Sequence, residues 1–265
     1  MNRAREPIFN VPAVVLAVAV ALVLFHLGRG FLSDAADSSL LIDLAFVPAR
    51  EISWFVPGII DAIVRHGPPS LDQSAIDQYQ FAVDYLQGSE PHPWTLLTYA
   101  FLHQGWLHLG LNLVVLSALG SPVARRFGSW RFLALLVGGA VAGALMHLII
   151  YPTQVLPLIG ASASVSACMG AAARFVFDPA ARAGGRAPSL AAVLRNRTVI
   201  AFALGWFIAN ALSGLGANPG ALANASIAWE AHIGGFLLGF LAFVLFDPRH
   251  SQGEESSSED LPGHE

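Results

Sequence analysis

Six apolar stretches, each close to 20 residues long, constrain the fold of this chain more than any other feature. They lie at about residues 11–28, 106–124, 132–151, 160–177, 199–215 and 227–246. A helix of about 20 residues crosses the roughly 30 Å hydrocarbon core of a bilayer. None of the stretches alternates apolar and polar residues as the strands of a membrane barrel do. We therefore predict an all-α membrane protein with a polytopic bundle of six transmembrane helices.

The composition agrees with this class of protein. The chain is 55% hydrophobic and 12% charged, whereas a soluble domain has about 25% charged residues. Cys168 is the single cysteine, so one chain can form neither a disulfide framework nor a cysteine-based metal site. The first stretch follows Arg3 and Arg5 but has a long core and no clear cleavage site, so we predict a retained span and not a signal peptide.

The arginines predict the orientation of the chain. With the N-terminus inside, eleven of the fourteen basic residues fall in inside segments, as the positive-inside rule requires. The outer connection 29–105 is apolar and broken by prolines, so we expect short interfacial helices and a partly membrane-embedded loop. Residues 1–246 then form a single transmembrane domain, and 247–265 form a disordered cytoplasmic tail.

Four polar residues open the even-numbered stretches. His108 and Asn112 open the second, Ser162 opens the fourth and His232 opens the sixth. Alternate spans run in the same direction, so these side chains should meet near the outer face and slightly inside the bilayer. Polar groups are costly to hold in lipid and often mark function.

Small residues give two of these helices a way to approach each other. Ser166 and Gly170 continue the stripe that begins at Ser162, and Gly235 and Gly239 lie below His232 on the sixth stretch. Such stripes allow close helix packing in membranes. Close packing would bring the Ser162 hydroxyl within about 2.6–3.2 Å of an imidazole nitrogen. Helix packing without chemistry is the alternative interpretation.

His108 and Asn112 lie one helical turn apart and could donate hydrogen bonds to an oxyanion, or they could only hold neighbouring loops together. Metal chemistry is disfavoured because the His-Glu-x-x-His pattern of zinc proteases is absent. Glu230 and His232 are two residues apart and point to different faces of a helix. A small transporter is disfavoured because no carboxylate lies at mid-membrane depth.

Several motifs in the same order resemble those of the rhomboid family of intramembrane serine proteases. They are FLHQGWLHLGLN at 101–112, RRFGSWR at 125–131, GAS at 160–162 and AHIGGFLLG at 231–239. The resemblance covers about residues 94–245. It implies a six-helix protein that hydrolyses peptide bonds in or beside transmembrane segments with a Ser–His dyad.

The resemblance also implies roles for single residues. Ser162 would be the nucleophile and His232 the general base, while His108, Asn112 and the backbone N–H of Ser162 would form the oxyanion hole. Gly160, Ala163, Gly235 and Gly239 would pack the helices around the site. Ala163 stands where the family usually has glycine; a helical first turn tolerates alanine, whereas a positive φ would not.

The implied partners are single-span membrane proteins as substrates and the lipid bilayer, with no cofactor, metal or nucleic acid; the oligomeric state stays open. The implied location is a bacterial inner membrane, with both termini cytoplasmic and the site open to the periplasmic side. Since hydrolysis needs water, we expect a polar indentation that reaches Ser162. The alternative function is a proteolytically inactive rhomboid-like protein that binds membrane helices.

Overall fold

A helix occupies each of the six apolar stretches in the computed structural model, which describes residues 11–68, 70–86, 90–214 and 228–248. The helices are α1 (Ala13–Arg29), α2 (Trp106–Phe127), α3 (Ser129–Ile150), α4 (Ser162–Ala173), α5 (Arg197–Gly214) and α6 (Trp229–Leu241). A π-helical turn interrupts α2 at Leu116–Gly120. No strand occurs in the described residues, and the β-type pairing there is one isolated antiparallel bridge between Phe46 and Leu158. The fold is therefore all-helical, as predicted.

By length and composition, two of these helices are long and apolar enough to cross a membrane. They are α2 and α3, with 22 residues each and mean hydropathies of 1.6 and 2.3. The apolar helices α1 and α4, and residues 197–212 within α5, are shorter. The assignment of six complete spans stays a prediction.

Short helices fill the described part of the connection between α1 and α2. They are Asp34–Leu44, Pro48–Ile52, Ile59–His66, Gln73–Leu86 and Thr95–Thr98, followed by the 3-10 turn Tyr99–Phe101. The guanidinium of Arg50 is fully buried among them and donates to the carbonyls of Ile42 and Ala45 at 2.6 and 2.7 Å. Arg50 also donates to Glu51 at 2.9 Å. A buried, fully bonded arginine gives this connection a packed interior of its own.

Helix α4 lies at the centre of the bundle and consists mostly of small, buried residues. A Cβ on Gly235 would meet the Ala163 carbonyl, and a Cβ on Gly239 would meet the Ala167 carbonyl. The residue numbers of α4 and α6 increase together along the contact, so the two helices are parallel. Gly143 and Gly139 of α3 face Ala163 and Ala167 in the opposite order, so α3 is antiparallel to α4.

The end of the bundle opposite Ser162 is closed by buried arginines. Arg126 pairs with Asp247 at 2.8 Å and donates to the carbonyls of Ala181 and Gly185. Arg174 donates to the carbonyl of Phe240 at 2.9 Å. Three short helices, Pro179–Arg182, Leu190–Val193 and Phe243–Phe246, lie in this part of the chain.

The predicted tail begins at Asp247, which is itself buried through its ion pair. Packing therefore continues to the first residue of that segment. Residues 249–265 lie outside the described part of the chain.

Candidate active site

The turn before α4 presents Ser162 at the first position of that helix. Gly160 has a φ of +113°, which only glycine adopts without strain. Its N–H donates to the Tyr99 carbonyl at 3.0 Å. The next N–H, from Ala161, donates to Nε2 of His103 at 3.4 Å. Two backbone anchors therefore fix the segment that leads into Ser162.

Ser162 and His232 are in direct contact. Oγ of Ser162 lies 2.8 Å from Nε2 of His232. The helices come this close because Gly235, one turn further along α6, has no side chain: a Cβ there would stand 2.0 Å from the Ala163 carbonyl. Glycine at Gly239 has the same effect one turn deeper, where a Cβ would stand 1.9 Å from the Ala167 carbonyl. The packing glycines thus control the distance between the hydroxyl and the imidazole.

Ala163 occupies the first turn of α4 with its methyl group buried. No non-glycine residue in the described part of the chain has a positive φ, so alanine is unstrained there. The methyl group faces Gly143 of α3, where an added Cβ would stand only 2.4 Å away. Glycine on the neighbouring helix therefore makes room for the alanine.

His108 lies beside Ser162, on the other side of Gly160. A Cβ on Gly160 would stand 2.7 Å from Nε2 of His108 and 3.8 Å from Oγ of Ser162, so both groups border one small space. The Ser162 N–H opens α4, where first-turn N–H groups have no partner within their own helix. Asn112 is buried, and its amide donates to the His108 carbonyl at 3.0 Å. One amide hydrogen of Asn112 is thereby engaged within α2, and the other is not part of that bond.

His103 ties the outer connection to the site. Its carbonyl accepts a hydrogen bond from Arg29 at 3.0 Å, and Arg29 also pairs with Asp37 at 2.7 Å. The hydrogen bond that Arg29 donates to Asp37 lowers the pKa of the Asp37 carboxyl. Burial, reinforced by the positive potential of His108, lowers the pKa of His103 to about 4. His103 is therefore neutral at pH 7 and can accept the hydrogen bond from Ala161.

Asn210 of α5 is not among the residues predicted for the site. Its Oδ1 lies 2.5 Å from Nδ1 of His232, on the ring edge opposite Ser162. A single amide within an apolar stretch was the available signal, since polar side chains in membrane helices usually have a partner. Glu230, two residues before His232, contacts His147 of α3 instead. This agrees with the expectation that Glu230 and His232 point to different faces of α6.

A groove of about 360 Å³ opens at the same end of the bundle. It is bordered by His26, Arg29, Asp37, His103 and Trp106, among others, and neither Ser162 nor His232 lines it. The predicted indentation at Ser162 is therefore not this groove. Within the described residues, no three His, Cys, Asp or Glu side chains are grouped to hold a metal ion.

Comparison with known proteins identifies the family. Residues 90–248, more than half of the chain, match the Rhomboid domain. The chain is 36% identical over 78 residues to rhomboid protease GluP of Bacillus subtilis (strain 168), covering 29% of this chain and 15% of that protein. It is 38% identical over 78 residues to human rhomboid-related protein 3, covering 29% and 19%. The aligned part is less than a fifth of either relative.

Proposed function

The chain belongs to the rhomboid family of membrane proteins, and we propose that it is an intramembrane serine protease with Ser162 as nucleophile and His232 as general base. The observation that carries the proposal is the 2.8 Å contact between Oγ of Ser162 and Nε2 of His232. A nucleophile within hydrogen-bond reach of a base is the signature of covalent catalysis. The protease name of one relative supports the same class of reaction.

The first half of the reaction forms an acyl-enzyme. Oγ of Ser162 attacks the carbonyl carbon of the scissile peptide bond while its proton passes to Nε2 of His232. The tetrahedral intermediate collapses, the C–N bond breaks, and the imidazolium of His232 returns the proton to the leaving amine. In the second half, water attacks the ester, His232 takes a proton from the water, and Ser162 recovers its proton as the carboxylic acid leaves.

The oxyanion of each tetrahedral intermediate would be stabilised by the backbone N–H of Ser162 and by the side chains of His108 and Asn112. The N-terminus of α4 adds a positive partial charge at that point. Each donor of an oxyanion hole contributes about 10²–10³ to the rate. The second hydrogen of the Asn112 amide and the His108 ring beside Gly160 are the groups proposed for this role.

The substrates would be single-span membrane proteins in the same bilayer. A helical substrate hides its peptide groups, so cleavage would favour segments with small or helix-destabilising residues that unwind. The arginine distribution supports cytoplasmic termini and a site that opens to the outer side of a bacterial inner membrane. Ser162 and His232 lie at the first turns of the parallel helices α4 and α6 and contact each other, which supports a site at one face of the bilayer.

The test combines a chemical probe with a cleavage assay on the full chain in detergent. A fluorophosphonate, which serine attacks at phosphorus with loss of fluoride, should label the wild type and not Ser162→Ala. A model transmembrane substrate should be cut by the wild type and not by Ser162→Ala or His232→Ala. Ser166→Ala makes the same small change one turn deeper in α4, and both activities should persist.

Equal labelling of the wild type and Ser162→Ala, with no cleavage by either, would overturn the proposal. Specific retention of a transmembrane substrate by such an inert protein would support the alternative, a membrane-helix binding protein without protease activity. Labelling that persists in Ser162→Ala and disappears in Ser166→Ala would identify Ser166 as the nucleophile and would also overturn the proposal.

A further inference from the structure

The amide of Asn210 bonds at both ends. Asn210 is buried in α5, and its Nδ2 donates to the Trp206 carbonyl of the same helix at 2.8 Å. Its Oδ1 faces Nδ1 of His232 on α6 at 2.5 Å. The reversed amide would set an oxygen against the Trp206 carbonyl, and two acceptors cannot bond. The Trp206 carbonyl therefore determines which end of the amide meets the imidazole.

This orientation determines where the imidazole carries its proton. Because Oδ1 of Asn210 can only accept, Nδ1 of His232 must donate. Neutral imidazole has one N–H, so Nε2 is left with a lone pair directed at Ser162 Oγ, 2.8 Å away. That is the tautomer a general base needs, and the bond also fixes the plane of the ring.

We propose that Asn210 is a positioning residue that holds His232 in the tautomer and orientation required to take the proton of Ser162. The inference rests on the proposed protease function. When His232 becomes an imidazolium, its Nδ1–H bond to Oδ1 becomes charge-assisted and therefore stronger. An uncharged amide then acts behind the base, in the place where a carboxylate stands in a Ser-His-Asp triad.

The other polar groups near His232 act elsewhere. On its own helix, Glu230 is directed to His147 of α3. On α4, Ser162 bonds Nε2 and not Nδ1. On α2, His108 lies against Gly160, beside Ser162. In the described part of the chain, the bond to Nδ1 therefore comes from α5, an element that carries no other proposed site residue.

The experiment measures kcat and KM for a model transmembrane substrate between about pH 5 and 9, together with ¹⁵N NMR of the His232 ring. Asn210→Leu, similar in size, should lower kcat about 10- to 100-fold with little change in KM, because a buried donor loses its acceptor. The ¹⁵N shifts should then report loss of the pure Nδ1–H tautomer. Asn210→Asp gives up the bond to the Trp206 carbonyl but keeps an acceptor for Nδ1 of His232 and adds charge beside it, so activity should persist at neutral pH and its acidic limb should move to higher pH.

A matched control separates positioning from packing. Phe207 lies on α5 with its ring 5.7 Å from that of Phe236 on α6, so Phe207→Leu loosens the same interface and leaves the Asn210 amide in place. Its pH profile and ring ¹⁵N shifts should equal those of the wild type. Wild-type kcat, pH profile and ring shifts in Asn210→Leu would overturn the inference.

The remaining outcomes are also decisive. If Asn210→Leu does not fold, Asn210→Asp decides: an unmoved acidic limb contradicts positioning. If the wild type neither labels with a fluorophosphonate nor cleaves, the proposed protease function fails. The ¹⁵N shifts of His232 in the wild type and Asn210→Leu still report whether the amide fixes the ring, so the two failures are distinguishable.

Discussion

A methyl group added at Gly235 should separate α4 from α6 and break the contact between Ser162 and His232. The Cβ of alanine there would stand 2.0 Å from the Ala163 carbonyl. Packed carbon–oxygen contacts between helices are about 3.3–3.6 Å. The helices must therefore separate by about 1.3 Å, and the obstacle is backbone, which cannot rotate away.

The size of the effect follows from that displacement. The 2.8 Å contact between Oγ of Ser162 and Nε2 of His232 would lengthen to about 4 Å, beyond hydrogen-bond range. A misplacement of about 1 Å in a reacting pair costs about 10²-fold in rate. Overpacking destabilises by about 1–3 kcal/mol, and the better helix propensity of alanine returns about 1 kcal/mol. The rate should therefore fall about 10²-fold, while the net cost in stability is about 0–2 kcal/mol.

The assay compares the rate of fluorophosphonate labelling with the thermal unfolding temperature of the same preparation. Gly205→Ala is the control, because a Cβ at that exposed position of α5 meets no atom within 4 Å. It should label at the wild-type rate and unfold at the same or a slightly higher temperature. Wild-type labelling by folded Gly235→Ala would refute the argument that glycine sets the distance between Ser162 and His232.

Three further substitutions test other parts of the fold. Gly160→Ala places a methyl group 2.7 Å from the His108 ring at a φ of +113°, so kcat for substrate cleavage should fall about 10²-fold or more. Burial lowers the pKa of His103 to about 4, so its stability contribution is complete above about pH 6.5 and falls as the pH drops towards 4. From pH 7.5 to 5 the free energy of unfolding of the wild type should fall by about 2 kcal/mol more than that of His103→Gln. Thermal unfolding of both proteins across this pH range measures the difference. Arg126→Leu should destabilise the protein by about 3–5 kcal/mol because it leaves the Asp247 carboxylate buried without its partner. Chemical unfolding should show that adding Asp247→Asn recovers part of this loss. Wild-type stability of Arg126→Leu would contradict the role of the ion pair.

The helices and the approach of α4 to α6 could be predicted because their signals are local. Apolar stretches give the helices, and small residues four apart on each helix give a close contact. The spacing of Gly235 and Gly239 was therefore sufficient to suggest which face of α6 meets α4. The limits were less accurate: α4 is predicted over 160–177 and extends over Ser162–Ala173, because a terminal turn depends on the packing around it.

Asn210 could not be predicted because its role depends on which helix lies beside α6. One amide in an apolar stretch shows that a partner is needed but not where the partner lies. Arg50 lies in the outer connection 29–105, where a charged side chain is expected to face water, yet it is fully buried among the carbonyls of that connection. A hydropathy pattern reports the cost of burying such groups and does not reveal the bonds that offset it.

The glycines of this bundle fall into two classes that differ in what a second mutation can repair. A Cβ on Gly139 would meet first the Cβ of Ala167, at 2.6 Å. A change of Ala167 to glycine removes that atom and leaves the Ser164 Cα at 3.1 Å as the nearest neighbour. Gly235 and Gly239 would meet backbone carbonyls, which every amino acid carries, so no substitution on α4 removes them. A second substitution therefore relieves the worst contact at Gly139, whereas Gly235 and Gly239 have no such local suppressor. The contact between Gly235 and the Ala163 carbonyl, one turn from the Ser162–His232 pair, therefore tolerates no larger residue through a compensating substitution on α4.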